Sequence, residues 1–127
     1  MKKRILLVDR DDSRRETRVM LLVSAGYEVE VSASWAIAEG ADHEGRFDLV
    51  ILSLHYGGPQ EALDYSDKVA KENPTLPVLL LMDTGVFVPR DTLSRSIETG
   101  LPVEMLQTIA EMLAGSRHIR ELEQRSA

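Results

Sequence analysis

Phe47-Asp48-Leu49-Val50-Ile51-Leu52-Ser53-Leu54-His55-Tyr56-Gly57-Gly58 is the stretch that decides how this chain folds. An unbroken apolar run follows an acid and ends at a hydroxyl, and a glycine pair comes shortly after. A strand at a sheet surface alternates apolar and polar residues, whereas one covered on both faces reads as a continuous apolar run. The stretch therefore predicts a buried strand of a parallel sheet, closed by a turn at Gly57-Gly58. Ser53 falls at its carboxyl end. In open α/β sheets that edge is where ligands and chemistry are found, so Ser53 stands where an active residue is expected.

The same pattern recurs on either side. Arg4 to Val8 is an apolar run closed by Asp9-Arg10-Asp11-Asp12, a first strand with a polar loop at the same edge. Ser13 with Glu16 three residues on has the form of a capping box and predicts a helix from about Arg14 to Ala25. Its inner face is expected to carry Val19, Leu22 and Val23, with Met20 and Leu21 beside them and Gly26 as the stop. Tyr27 to Ser32 alternate apolar and acidic residues, as a half-buried edge strand does. Ser34 can cap a second helix over Trp35–His43, with Trp35, Ile37, Ala38 and Ala41 as its apolar set.

After the glycine turn, Ala62, Tyr65 and Val69 predict a third helix over Gln60–Glu72, stopped by Asn73-Pro74. Val78 to Met82 is a second fully buried run. Beyond it Asp83-Thr84-Gly85 is a loop, and Pro89 after Val86-Phe87-Val88 forbids a long helix. Ser96-Ile97-Glu98 is the candidate fifth strand. A last helix starts near Val103, with Val103, Leu106, Ile109, Ala110 and Leu113 on one face. Gly115-Ser116 is expected to interrupt it, leaving residues 1–114 as the domain and 115–127 as a helical tail or linker. Arg117–Glu121 and Glu121–Arg125 stand at helical i, i+4 spacing in that tail.

Composition narrows the function. The chain has 127 residues, 43% apolar and 28% charged, enough for one domain with a core. A net charge of −6 argues against direct nucleic-acid binding and against attachment to anionic lipid. There is no cysteine, which excludes disulfides, thiolate metal sites and cysteine nucleophiles. No run reaches membrane-spanning length, and the start of the chain lacks the features of a signal peptide, so a cytoplasmic location is expected. His43, His55 and His118 show no metal-ligand spacing. Five alternations of strand and helix with short connections predict a doubly wound α/β fold around a five-stranded parallel sheet, order 2-1-3-4-5.

Ile5-Leu6-Leu7-Val8-Asp9, Ala25-Gly26-Tyr27-Glu28-Val29, Phe47 to Leu52 and Leu76-Pro77-Val78-Leu79-Leu80-Leu81, in that order and spacing, resemble the receiver domains of two-component response regulators. The resemblance covers roughly residues 3 to 114 and implies the CheY-like, flavodoxin-like form of this fold. Such receivers accept a phosphoryl group on an Asp at the end of the third strand. A pair of acids after the first strand holds Mg²⁺, a Thr or Ser ends the fourth strand, a Lys precedes a Pro after the fifth, and an aromatic on the fifth follows the switch. The set suits the chemistry, since metal and lysine neutralise charge spreading over the phosphoryl oxygens.

Laid on that pattern, this sequence departs from it at nearly every position. The acceptor position is Ser53, the acid pair is Asp9-Arg10, the switch hydroxyl position is Met82, the lysine position is Thr99, and the aromatic position is Ser96. The stretch from Met82 to Thr99 is also about five residues shorter than the family's, which implies a shortened or missing helix four. A serine hydroxyl is un-ionised at neutral pH and needs a base to attack. Asp9, with Asp11 and Asp12 as residual acids, makes a poor Mg²⁺ site, so no cofactor is expected. No nucleophile–base pair or carboxylate pair can be placed, so no enzyme activity is expected.

The reading that follows is a receiver-like signalling module that works without phosphorylation, through contact with a protein partner or a covalently following output domain, with a homodimer as one possible arrangement. Its contact face is expected to be built from the loop after the fourth strand, the fifth strand and the last helix. The alternative is a small-molecule or nucleotide sensor using the altered pocket, which ligand-dependent thermal stabilisation discriminates. Arg10 is the pocket residue expected to compensate, its guanidinium lying over Asp9, Asp11 and Asp12 in place of the metal.

Overall fold

The computed structural model describes residues 2–32, 47–54, 59–72, 75–82, 95–98 and 102–126. Strands β1 (Arg4–Val8), β2 (Glu28–Ser32), β3 (Leu49–Leu54), β4 (Val78–Met82) and β5 (Arg95–Glu98) form one sheet in the order β2-β1-β3-β4-β5, and every pairing is parallel. The helices among the described residues are α1 (Asp12–Ser24), α2 (Pro59–Glu72) and α3 (Pro102–Ser126). The predicted helix over Trp35–His43 lies outside the described residues, as do the stretch expected to hold a shortened or missing helix four, Asp83, Val86 to Pro89 and Thr99.

The continuous apolar runs have the burial they imply. All six residues of β3 are buried, as are Ile5 to Val8 of β1 and Val78 to Leu81 of β4. Alternation divides them between two layers. Ile5, Leu7, Leu49, Ile51, Leu79 and Leu81 face Leu22 of α1 and Met105 and Ile109 of α3. Leu6, Val8, Val50, Leu52, Leu54 and Leu80 face Ala62, Leu63, Tyr65 and Val69 of α2. Each fully buried side chain of this kind contributes about 1.5–3 kcal/mol, which is why these strands take the centre of the sheet. β2, with glutamates at alternate positions, pairs only with β1 and forms one edge.

Five local expectations need correction. β3 continues one residue past Ser53, to Leu54, which pairs with Met82. α1 starts at Asp12, and its cap is Asp11 rather than Ser13. The Asp11 carboxylate accepts the Arg14 N–H at 3.0 Å, so Ser13 lies inside the first turn, where its carbonyl accepts the Thr17 hydroxyl. Starting there, α1 turns Arg18 and Leu22 to the sheet and leaves Met20 (70% exposed) and Val23 (55%) outside.

The last helix is not interrupted at Gly115-Ser116. It runs for 25 residues, about 37 Å at 1.5 Å per residue. One helix-interior glycine costs only about 1 kcal/mol, too little to break a helix already anchored along its first half. Its buried residues are Met105, Thr108 and Ile109, with Leu106, Met112 and Leu113 packed beside them. Val103 and Ala110, placed on the inner face by the sequence pattern, are exposed. Gly26, at φ +97°, ends α1 in a backbone conformation that an L side chain rarely adopts.

Candidate functional site

Two side chains reach the carboxyl edge of the central strands from neighbouring positions. Val8 pairs with Leu52, so Asp9 and Ser53, the next residues on β1 and β3, stand level. By alternation both belong to the face that carries Ile5, Leu7, Leu49 and Ile51, the face covered by α1. Asp9 is fully buried and Ser53 is 2% exposed. A carboxylate taken out of water requires a partner, or its desolvation is uncompensated.

The partner is Arg18. It lies on α1 one helical turn before Leu22, and it too is buried, at 8% exposure. Its Nη1 donates to Asp9 Oδ2 at 2.5 Å and to Ser53 Oγ at 2.7 Å. One nitrogen therefore ties together β1, β3 and α1. The other carboxylate oxygen, Asp9 Oδ1, accepts the Asp11 N–H at 2.9 Å. The Asp9 backbone is held as well. Its N–H donates to the Ser32 carbonyl at 3.1 Å, and its carbonyl accepts Arg15 Nη1 at 3.0 Å. Arg15 also donates to Asp12 at 2.6 Å, which orients it across the loop. Asp9 is thus fixed at both carboxylate oxygens and both backbone groups.

The buried acid is paired with Arg18, and the ion pair shown for Arg10 is with a different acid. Arg10 Nη2 donates to Glu61 of α2 at 2.7 Å, and both side chains are more than half exposed. The reason is alternation: the residue after Asp9 leaves the strand towards the opposite side, where α2 begins. An exposed pair of this kind contributes between zero and about 1 kcal/mol. Arg10→Ala is accordingly expected to change the urea midpoint of unfolding only slightly. A loss as large as that of a buried ion pair would show that Arg10 has the structural role.

The remaining sequence-derived positions divide. Met82 ends β4, half-buried and in register with Leu54. Ser96 is on β5 opposite Leu80. Thr99 lies outside the described residues. Asp11 and Asp12 are exposed and act as helix cap and arginine partner. No group of three acidic or histidine side chains suited to a metal is found among the described residues. The Mg²⁺ implied by the receiver resemblance does not fit this donor set. Asp9 spends its oxygens on Arg18 and on the Asp11 N–H, the second acid's position is an arginine, and Ser53 brings a neutral hydroxyl.

The sequence pattern missed Arg18, although a signal was present. Arg15, Arg18 and Leu22 follow helical i, i+3, i+7 spacing, so a face that buries Leu22 also brings Arg18 to the sheet. A buried cation calls for an anion nearby, and Asp9 closes the strand before that helix.

Comparison with known proteins agrees with the architecture. The protein-family model described as "Flagellar regulatory protein FleQ" matches residues 4–111. No curated protein matches the chain by sequence. Among solved structures, a CheY-like response regulator receiver domain protein from Methanospirillum hungatei JF-1 is 20% identical, with a TM-score of 0.79 over 93% of this chain and 98% of that one. A putative response regulator from Chloroflexus aurantiacus J-10-fl is 24% identical, with a TM-score of 0.78 over 90% and 99%. NtrX from Brucella abortus, solved in complex with ADP, is 22% identical, with a TM-score of 0.84. There 98% of this chain is covered, and it spans 29% of the NtrX chain. These likenesses establish a receiver-domain fold.

Proposed function

The chain belongs to the family of the flagellar regulatory protein FleQ, and from that membership and its receiver fold we propose that it is a signalling domain that is not switched by phosphoryl transfer. The observation that supports this most directly is the contact of Arg18 with Asp9 and Ser53. The acceptor of a receiver is an ionised carboxylate with metal charge beside it, and a hydroxyl in its place needs a base to take its proton. Here the residue at the acceptor position is a neutral serine, 2% exposed, whose hydroxyl already accepts a hydrogen bond. The residue at the acceptor position and the remaining acid of the metal-binding pair are tied to one guanidinium.

The domain then acts through its surface. Its partner is a protein, or an output domain in the same chain. The NtrX comparison, in which this chain spans 29% of a longer protein, favours the second arrangement. α3 is the element suited to carry the connection, because it is the last element of the receiver fold and runs on as one helix from Pro102 to Ser126. The domain is not an enzyme and works in the cytoplasm. No helix among the described residues is long and apolar enough to cross a membrane.

The test is beryllofluoride, a phosphoryl analogue, added with Mg²⁺ to the isotopically labelled protein. Amide resonances of Asp9, Ser53 and their neighbours are expected to stay in place. Movement centred on Ser53 would overturn the proposal, and so would movement centred on Asp83, the acid that follows β4.

A further inference from the structure

Among the described residues, the buried charges at the strand edge balance without a metal. A receiver pocket of the kind the sequence resembles sets three carboxylates against a divalent cation and a lysine. This pocket sets one buried carboxylate, Asp9, against one buried guanidinium, Arg18. Adding a divalent ion would place three positive charges against one carboxylate in a site closed to water, with the ion's hydration lost and few oxygens to replace it.

We infer that Arg18 is the resident cation of this pocket, a covalently attached replacement for the divalent metal that joins β1, β3 and α1 as an ion would. The geometry has the form of metal coordination. A single nitrogen is shared by a carboxylate oxygen from one strand and a hydroxyl oxygen from the next. The source of the charge differs. A metal's occupancy follows its concentration, whereas a side chain is present in every folded molecule. The pocket is therefore held permanently in one arrangement, and divalent cations have no effect on it. Arg18 and Ser53 form a matched pair in this respect. A serine lets one guanidinium suffice, and a second carboxylate in its place would call for more positive charge.

This inference rests on the reading that the pocket takes no phosphoryl group, and its test uses metal alone so that the two can fail separately. Thermal unfolding of the native chain is followed with EDTA and with millimolar Mg²⁺ or Mn²⁺, beside Arg18→Met/Ser53→Asp, which removes the guanidinium and supplies a second carboxylate. The native midpoint is expected to be the same in EDTA and in metal. The double variant is expected to gain a midpoint that rises with metal concentration, as a ligand binding only the folded state requires. Should that variant be unfolded in EDTA, recovery of its helical circular dichroism on adding Mn²⁺ is the expected result, and failure to recover overturns the inference. A folded double variant indifferent to metal also overturns it. So does a native chain whose midpoint rises with Mg²⁺. If that native chain still ignores beryllofluoride, the proposed function survives while the assignment of Arg18 does not.

Discussion

Arg18→Met is expected to destabilise the fold by about 3–5 kcal/mol, the range for breaking a buried ion pair from one side. Methionine keeps an unbranched stem of similar reach, so little packing is lost. What is lost is the N–H that donates to both Asp9 Oδ2 and Ser53 Oγ. Asp9, with no exposure to solvent, is then left without that guanidinium. At about 4 °C per kcal/mol for a domain of this size, the midpoint falls by roughly 12–20 °C. Asp9→Asn on its own leaves the guanidinium unbalanced and is expected to be harmful too. Combining the two removes both charges, so the double variant should lose less than the sum of the singles, by about 1–3 kcal/mol. Urea unfolding of the native chain, both singles and the double supplies the cycle. If Arg18→Met stays within about 0.5 kcal/mol of the native chain, as ordinary surface changes do, the buried pair is not structural.

The second large effect is expected in α3. Ile109 is fully buried in the core cluster that holds Ile5, Leu7, Leu79 and Leu81, so Ile109→Ala opens a cavity beneath the helix. Such changes cost about 2–5 kcal/mol, with the spread set by how far the surroundings collapse. Val103 lies on the same helix and on the same predicted face, but it is 70% exposed. Val103→Ala is expected to stay within about 0.5 kcal/mol of the native chain. Urea midpoints of the two variants separate the observed helix orientation from the one the sequence suggests. Equal losses would show that the helix packs as its apolar spacing alone predicts.

These two cases mark where the sequence is informative and where it is ambiguous. Ile109 stands on the inner face in both readings, because it belongs to two overlapping apolar sets. Val103, Leu106, Ala110 and Leu113 make one set with it, and Met105, Leu106, Met112 and Leu113 make another. Spacing cannot rank two stripes of similar hydrophobicity that lie side by side on a helix. The sheet ranks them, by the shape of the surface it offers. The same ambiguity exchanged Val23 for Arg18 on α1. A rule that sends apolar residues inward takes the valine, while the acid at the strand edge takes the arginine.

The strands were legible from residue type alone. Leu49 to Leu52 and Val78 to Leu81 have no polar face to turn to water, so they can only be interior strands of a sheet covered on both sides. The alternating glutamates of β2 put it at an edge for the complementary reason. Where the connection is described, a helix crosses between the strands it joins, α1 from β1 to β2 and α2 from β3 to β4, and both pairs enter one parallel sheet. The position of Asp9 and Ser53 at one edge was legible too, since each closes a run whose register is set by burial. Their bond through Arg18 was not. That contact joins residues 9, 18 and 53, and local pattern describes only neighbours along the chain. It exists because strand register brings two polar groups level, because α1 crosses above them, and because a carboxylate without water holds the nearest cation that can reach it. The sequence by itself determined the layers and the edge. Only the packed structure decided that Arg18, and not Arg10, supplies the charge there.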